Sequence, residues 1–219
     1  MHKILSALAL GAGFAVATSA SAQITSTAGV AVDNSAGGAA LEGFVTSDIQ
    51  ISFEGQYTGS QILLALDSGS LFRAAFGDQA GGAPNPALFV VPGFETLQFD
   101  TSILVGGIGS GPVDLDPTIV SPIFPGADST TAGPLTLAQA FNPAGGTFIA
   151  DQSDLAVFRA TLSDDAQGTI SFLSSANSVI STEELLIVDG AIVAVPEPAS
   201  AALVGLAGLS MLARRRKTA

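Results

Sequence analysis

Carboxylates are the abundant reactive side chains between residues 23 and 195. Eighteen Asp and Glu stand there against two cations, Arg73 and Arg159, for a net charge of −16, and His, Cys, Lys and Trp are absent. Without those types there is no Ser–His–Asp or Cys–His nucleophile system, no Ser–Lys dyad and no zinc site of His or Cys. Two carboxylates suffice for a glycosidase when they flank one bond. The pairs available are Asp114/Asp116, Asp151/Asp154, Asp164/Asp165 and Glu183/Glu184, and acids so close along a chain serve equally as turn and cap residues. Sugar sites also use aromatic platforms, yet this region offers one Tyr, Tyr57, and Phe residues that mostly fall in strand patterns. No residue is assigned as catalytic, and a non-enzymatic role is expected.

Calcium is the more natural use of clustered acids. Val113-Asp114-Leu115-Asp116, in an irregular loop, would present oxygen ligands through Asp114 and Asp116. The spacing lacks the central Gly and the twelfth-position Glu of an EF-hand. Calcium at these two residues is the one cofactor weighed. The run 106–111, Gly-Gly-Ile-Gly-Ser-Gly, has no Lys-Ser/Thr and is followed by Pro112; it reads as a turn and not as a phosphate loop. So acidic a body repels nucleic acid and anionic lipid, which bind through Lys and Arg. An ice-binding face would need a flat Thr-x-Thr ladder, and Thr25, Thr27 and Thr130-Thr131 do not make one.

The elements that must position these side chains are short. Apolar bursts separated by Gly, Pro, Asn, Asp and Ser are the pattern of strands and turns. Residues 23–43 read as a frayed arm with one strand near 29–32. Ile49, Ile51 and Phe53 alternate with polar residues, as do Ile62, Leu64 and Leu66, which end at the turn Asp67-Ser68-Gly69. A helical turn is expected over 86–89. Leu97, Phe99, Thr101, Ile103 and Val105 form the longest period-two face, opposite Gln98, Asp100 and Ser102. From 106 to 134 Gly and Pro predict an irregular connection with one strand at 118–123. Further strands are expected at 147–150, 155–163 and 169–174, with 164–168 as a turn. Segments 185–188 and 191–195 flank Asp189-Gly190, a strong two-residue hairpin signal. Helical spacing is confined to 70–76 and 135–141. Eight to ten strands in 173 residues predict an all-β fold, a single antiparallel β-sandwich.

Both ends read as targeting segments. Met1-His2-Lys3, the apolar run 4–16 and Ala20-Ser21-Ala22 make a Sec-type signal helix over residues 1–22. Cleavage between Ala22 and Gln23 is expected. At the other end Val195-Pro196-Glu197-Pro198-Ala199 opens an uncharged run, 199–213, that ends at Arg214, Arg215, Arg216 and Lys217. As a helix that run is ~22 Å long, short against a hydrocarbon core of ~30 Å. The cations after it would remain cytoplasmic. Pro196 and Pro198 hold the tripeptide extended and outside any helix.

Val-Pro-Glu-Pro-Ala-Ser, a short apolar helix and an Arg-rich end together resemble the PEP-CTERM sorting signal of exported bacterial proteins. That resemblance covers residues 196–219 and implies that an exosortase recognises the tripeptide and removes the tail. It further implies a setting in extracellular polysaccharide or biofilm. The same tail occurs on some ice-binding proteins, where it is labelled an ice-binding protein C-terminal domain. Stretches 60–72, 85–89 and 158–163 resemble the bodies of such proteins, and the whole resembles a jelly-roll or cohesin-like sandwich. The expectation is a secreted domain, residues 23–195, reaching the cell surface or matrix after transient attachment to the inner membrane. Its partners would be an exosortase and exopolysaccharide, with no nucleic acid. The alternatives are a calcium-dependent or glycan-binding adhesin and a two-carboxylate glycosidase.

Overall fold

The computed structural model describes residues 24–26, 28–74, 82–105, 113–115, 130–143 and 149–195. The chain runs through β1 (Thr25–Ser26), β2 (Val30–Val32), β3 (Phe44–Phe53), β4 (Tyr57–Ser68), β5 (Ser70–Phe72) and β6 (Ser102–Ile103). It continues with β7 (Val113–Leu115), β8 (Thr130–Ala132), β9 (Leu135–Pro143), β10 (Gln152–Ser163), β11 (Gln167–Ala176), β12 (Val179–Val188) and β13 (Ala191–Ala194). Short 3-10 helices lie at Ser35–Leu41, Pro86–Leu88 and Glu95–Phe99. The strands form two antiparallel sheets. One has the order β1-β3-β10-β5-β8, with β2 also on β3 and β6 also on β10; the other is β13-β12-β11-β4-β9-β7.

Period-two alternation explains the long strands. Ile49, Ile51 and Phe53 of β3, and Ile62, Leu64 and Leu66 of β4, are all buried as their spacing predicts. With Phe158 and Leu162 from β10, and Phe172 and Ile187 from β11 and β12, they form one core fed by both sheets. Each such side chain contributes about 1.5–3 kcal/mol on burial. A smaller cluster of Leu41, Phe72, Ala74, Leu97 and Phe99 sits with the 3-10 helices.

The chain changes sheet repeatedly, and two of these crossings pack together. β4 passes to β5 through Gly69, and β10 passes to β11 through 164–166. The corners touch: a Cβ on Gly69, whose φ is +81°, would lie 2.3 Å from Cα of Ala166. The carbonyl of Ala166 also accepts from Gly190 N–H at 3.1 Å. Three turns distant in sequence therefore meet at one buried alanine.

Several expectations need correction. The 97–105 alternation is not a strand: Glu95–Phe99 is a 3-10 helix and only Ser102–Ile103 is extended. Two of its three polar positions do not face water: Asp100 and Ser102 are fully buried, as is Thr101 of the opposite face, and all three are hydrogen-bonded. Thr101 Oγ1 accepts from Thr161 N–H at 3.1 Å, for example. The helical spacing at 135–141 is β9, and of 70–76 the residues 70–72 are β5, followed by Arg73 and Ala74 outside any helix or strand. The arm is not frayed: β1 and β2 pair with β3, Ile24 is buried, and Asn34 Nδ2 donates to Phe44 O at 2.8 Å. Val113–Leu115 is a strand and not irregular loop, paired with β9. The strand expected at 118–123 lies outside the described residues.

The Asp189-Gly190 hairpin forms as read. Both residues have positive φ, 49° and 73°, the requirement of a type I′ turn. The 86–89 turn forms too, with Asn85 Oδ1 accepting from Ala87 N–H at 3.0 Å. The signal helix and the C-terminal membrane helix lie outside the described residues. Among those described, no helix is long and apolar enough to cross a membrane.

Candidate functional site

The chain leaves the fold at a sheet edge. β13 is the outermost strand of the six-stranded sheet, held by β12 over Leu185–Val188. Val195 follows directly and is 43% exposed, so the peptide emerges one residue beyond the ladder. The rest of the expected sorting motif, Pro196, Glu197, Pro198 and Ala199, lies outside the described residues, as do Arg214, Arg215, Arg216 and Lys217. The cleavage residues Ala20, Ala22 and Gln23 also lie outside them.

The carboxylate pairs are placed by turns and strands. Glu183 and Glu184 are neighbours in β12 and so point to opposite faces of the sheet; they cannot flank one bond. Asp151 accepts from Gly55 N–H, and Asp154 sits at a bulge of β10 with φ +58°. Asp165 accepts from Ser163 Oγ at 2.6 Å in the corner between β10 and β11. Asp114 stands opposite Asn142 in the β7–β9 ladder, while Asp116 lies outside the described residues. Among the described residues no group of three or more His, Cys, Asp or Glu is placed to hold a metal.

Both body arginines are buried in ion pairs, which sequence reasoning missed. Arg73 Nε donates to Asp100 Oδ1 at 2.8 Å, with both side chains fully enclosed. Asp100 also accepts from the Ala74 N–H at 2.8 Å. Arg159 Nε and Nη2 donate to the two oxygens of Asp48 at 2.6 and 2.7 Å, and its Nη1 to Gln98 O. The signal was present: each cation sits in an apolar Phe-Arg-Ala run, 72–74 and 158–160, where a charge needs a buried partner. The pairs anchor both ends of the Gln98–Asp100 segment. Tyr57 is likewise internal. Its hydroxyl donates to Ser60 Oγ at 2.7 Å, burial pushes its phenol far up, and it offers no platform to a sugar.

The outer face of the six-stranded sheet carries the groove. Ile62 and Leu64 point inward, so Gln61 and Leu63 point outward. Register sets Ala140, Gln61, Leu173 and Thr182 in one row, and Ala138, Leu63, Ser171 and Glu184 in the next. Only Glu184 in these rows is charged. A depression of about 420 Å³ opens there, lined by Thr58, Gln61, Asn142 and Ser175 around Gly59, Ala140 and Leu173. Hydroxyls and amides ring an apolar floor, a composition able to bond neutral hydroxylated ligands.

A family model, the PEP-CTERM protein-sorting motif, matches residues 194–217. It begins on the last residue of β13. No curated protein and no solved structure matches the chain. The motif supports export of the chain, processing by an exosortase and sorting to the cell surface.

Proposed function

We propose that the protein is a non-catalytic component of the bacterial surface or extracellular matrix that binds neutral polysaccharide. Its two sheets are the halves of a β-sandwich, a reading favoured by the single core to which both contribute. The apolar run 199–213 attaches it to the inner membrane only until the exosortase removes the tail. The observation that carries the binding role is the uncharged, hydroxyl- and amide-ringed groove on a protein otherwise dominated by carboxylates. An acidic surface disfavours anionic glycans, so the polymer is a neutral one.

Titration with soluble exopolysaccharide tests this. Binding should raise the melting temperature and be lost in Gln61→Ala/Asn142→Ala, whose side chains are not part of the core. A melting temperature that does not respond at any concentration would end the proposal. For the sorting step, mass spectrometry of exported protein should find the Arg214–Lys217 end missing. A calcium-dependent adhesin is the second reading, favoured by one placement: β7 sets Asp114 across from Asn142 at the groove. Binding that appears only with calcium and disappears in Asp114→Asn would select it.

A further inference from the structure

The outer face of the six-stranded sheet continues well past the groove. On β4 the residues Ser60, Ile62, Leu64 and Leu66 are buried, so the outward positions after Gly59 are Gln61, Leu63 and Ala65. Register flanks them with Ala140, Ala138 and Thr136 on β9, and with Leu173, Ser171 and Thr169 on β11. None of these positions carries a charge, in a body whose net charge is −16. Six steps along β4 at ~3.3 Å make this strip about 20 Å long, and two strand spacings of ~4.8 Å make it about 10 Å wide. The groove occupies only its Gly59 end.

Two features set the direction in which a polymer can lie here. Neighbouring strands are rotated by roughly 20–25° from one another, so a path across the sheet soon turns out of line, whereas a path along one strand stays straight. The borders agree with the twist. Across the sheet from the groove stands Ile180 of β12, in register with Ser175 and 65% exposed. One strand beyond Ser171 the same border carries Glu184. Along β4 the flanking side chains are small, and Leu63, 39% exposed, lies near the middle of the strip. With no aromatic ring among these positions, the C–H face of a sugar would rest on Leu63 and Leu173. Gln61, Asn142 and Ser175 offer donors and acceptors for its hydroxyls.

We propose that the groove is one end of a longer track, on which a neutral polysaccharide lies extended along β4 from Gly59 to Ala65 with several sugars in contact at once. The proposal rests on the polysaccharide reading above and adds to it the length and direction of the bound chain. A track of this kind sums small contacts over successive units. Its ligand is therefore a stretch of linear polymer and not a single sugar.

The test uses exopolysaccharide cut by mild acid and sorted by length, titrated into the secreted protein. Long fragments should bind about tenfold or more tighter than fragments that fill the groove alone. The chain has no cysteine, so Ala65→Cys and Thr182→Cys each accept one environment-sensitive thiol label. Thr182 stands in the row of Gln61, two strands away, and is nearer the groove than Ala65. The label at 65 should respond to long fragments and not to short ones, and the label at 182 to neither. Thr169→Cys, paired with Ala65, gives the same reading if Ala65→Cys does not fold. Equal affinity for short and long fragments overturns the track and leaves the groove reading standing. So does a response at Thr182 with none at Ala65. If neither the fragments nor the intact polymer binds, the groove reading fails and the track fails with it.

Discussion

Asp100 shows how a single residue can be misread from its neighbours. In sequence it occupies the polar side of a period-two stretch, where a carboxylate ordinarily meets water. In the fold it is fully buried against the enclosed Arg73. Removing one partner of such a pair leaves an uncompensated charge inside, so Asp100→Ala should lower stability by about 3–5 kcal/mol, measured by urea unfolding. The clue was Arg73 itself, which could have been recognised as buried from its apolar run, though not matched to its partner 27 positions on. Asp33 is the opposite case, local and legible. It accepts from Ser35 N–H at 3.0 Å, and that bond holds its carboxyl below the usual 3.8. A lowered pKa in the folded state adds stability above the unfolded value and loses it as pH falls through the folded one. A carbon-detected NMR titration should therefore place its midpoint below 3.8.

Among the elements, one hairpin was legible, while the Asn177-Ser178 hairpin between β11 and β12 and the sheet changes were not. Asp189-Gly190 declares its turn through two residues that accept positive φ; β13 forms close to where read, while β12 begins at Val179, six residues before the 185–188 expected for it. The turns at 67–69 and 164–168 were read correctly as turns, yet each delivers the chain to the opposite sheet. Local chemistry fixes a reversal; it does not fix the pairing that follows, which depends on contacts far away in sequence. Gly69 carries this information in its surroundings. Gly69→Ala would combine a strained φ with a clash against the Ala166 backbone, and should cost about 2–4 kcal/mol in thermal or urea unfolding. The groove escaped sequence reading for the same reason, since Thr58, Asn142 and Ser175 come from three strands brought together only by register.

On the scale of the whole molecule, composition foretold the all-strand fold and the acidic surface, because both are sums over many residues. It did not foretell that the two cations between the ends would be withdrawn from solvent. That withdrawal has a consequence for survival outside the cell. Trypsin-like proteases cut after Lys or Arg, and between residues 23 and 195 Arg73 and Arg159 are the whole supply. With these residues at 1% and 7% exposure, neither bond can enter a protease cleft without unfolding. Incubated with trypsin, the folded body should persist uncut, and after heating it should fall into three peptides at those two arginines. Amine-directed reagents would find no lysine to modify there, leaving the α-amino group as their target.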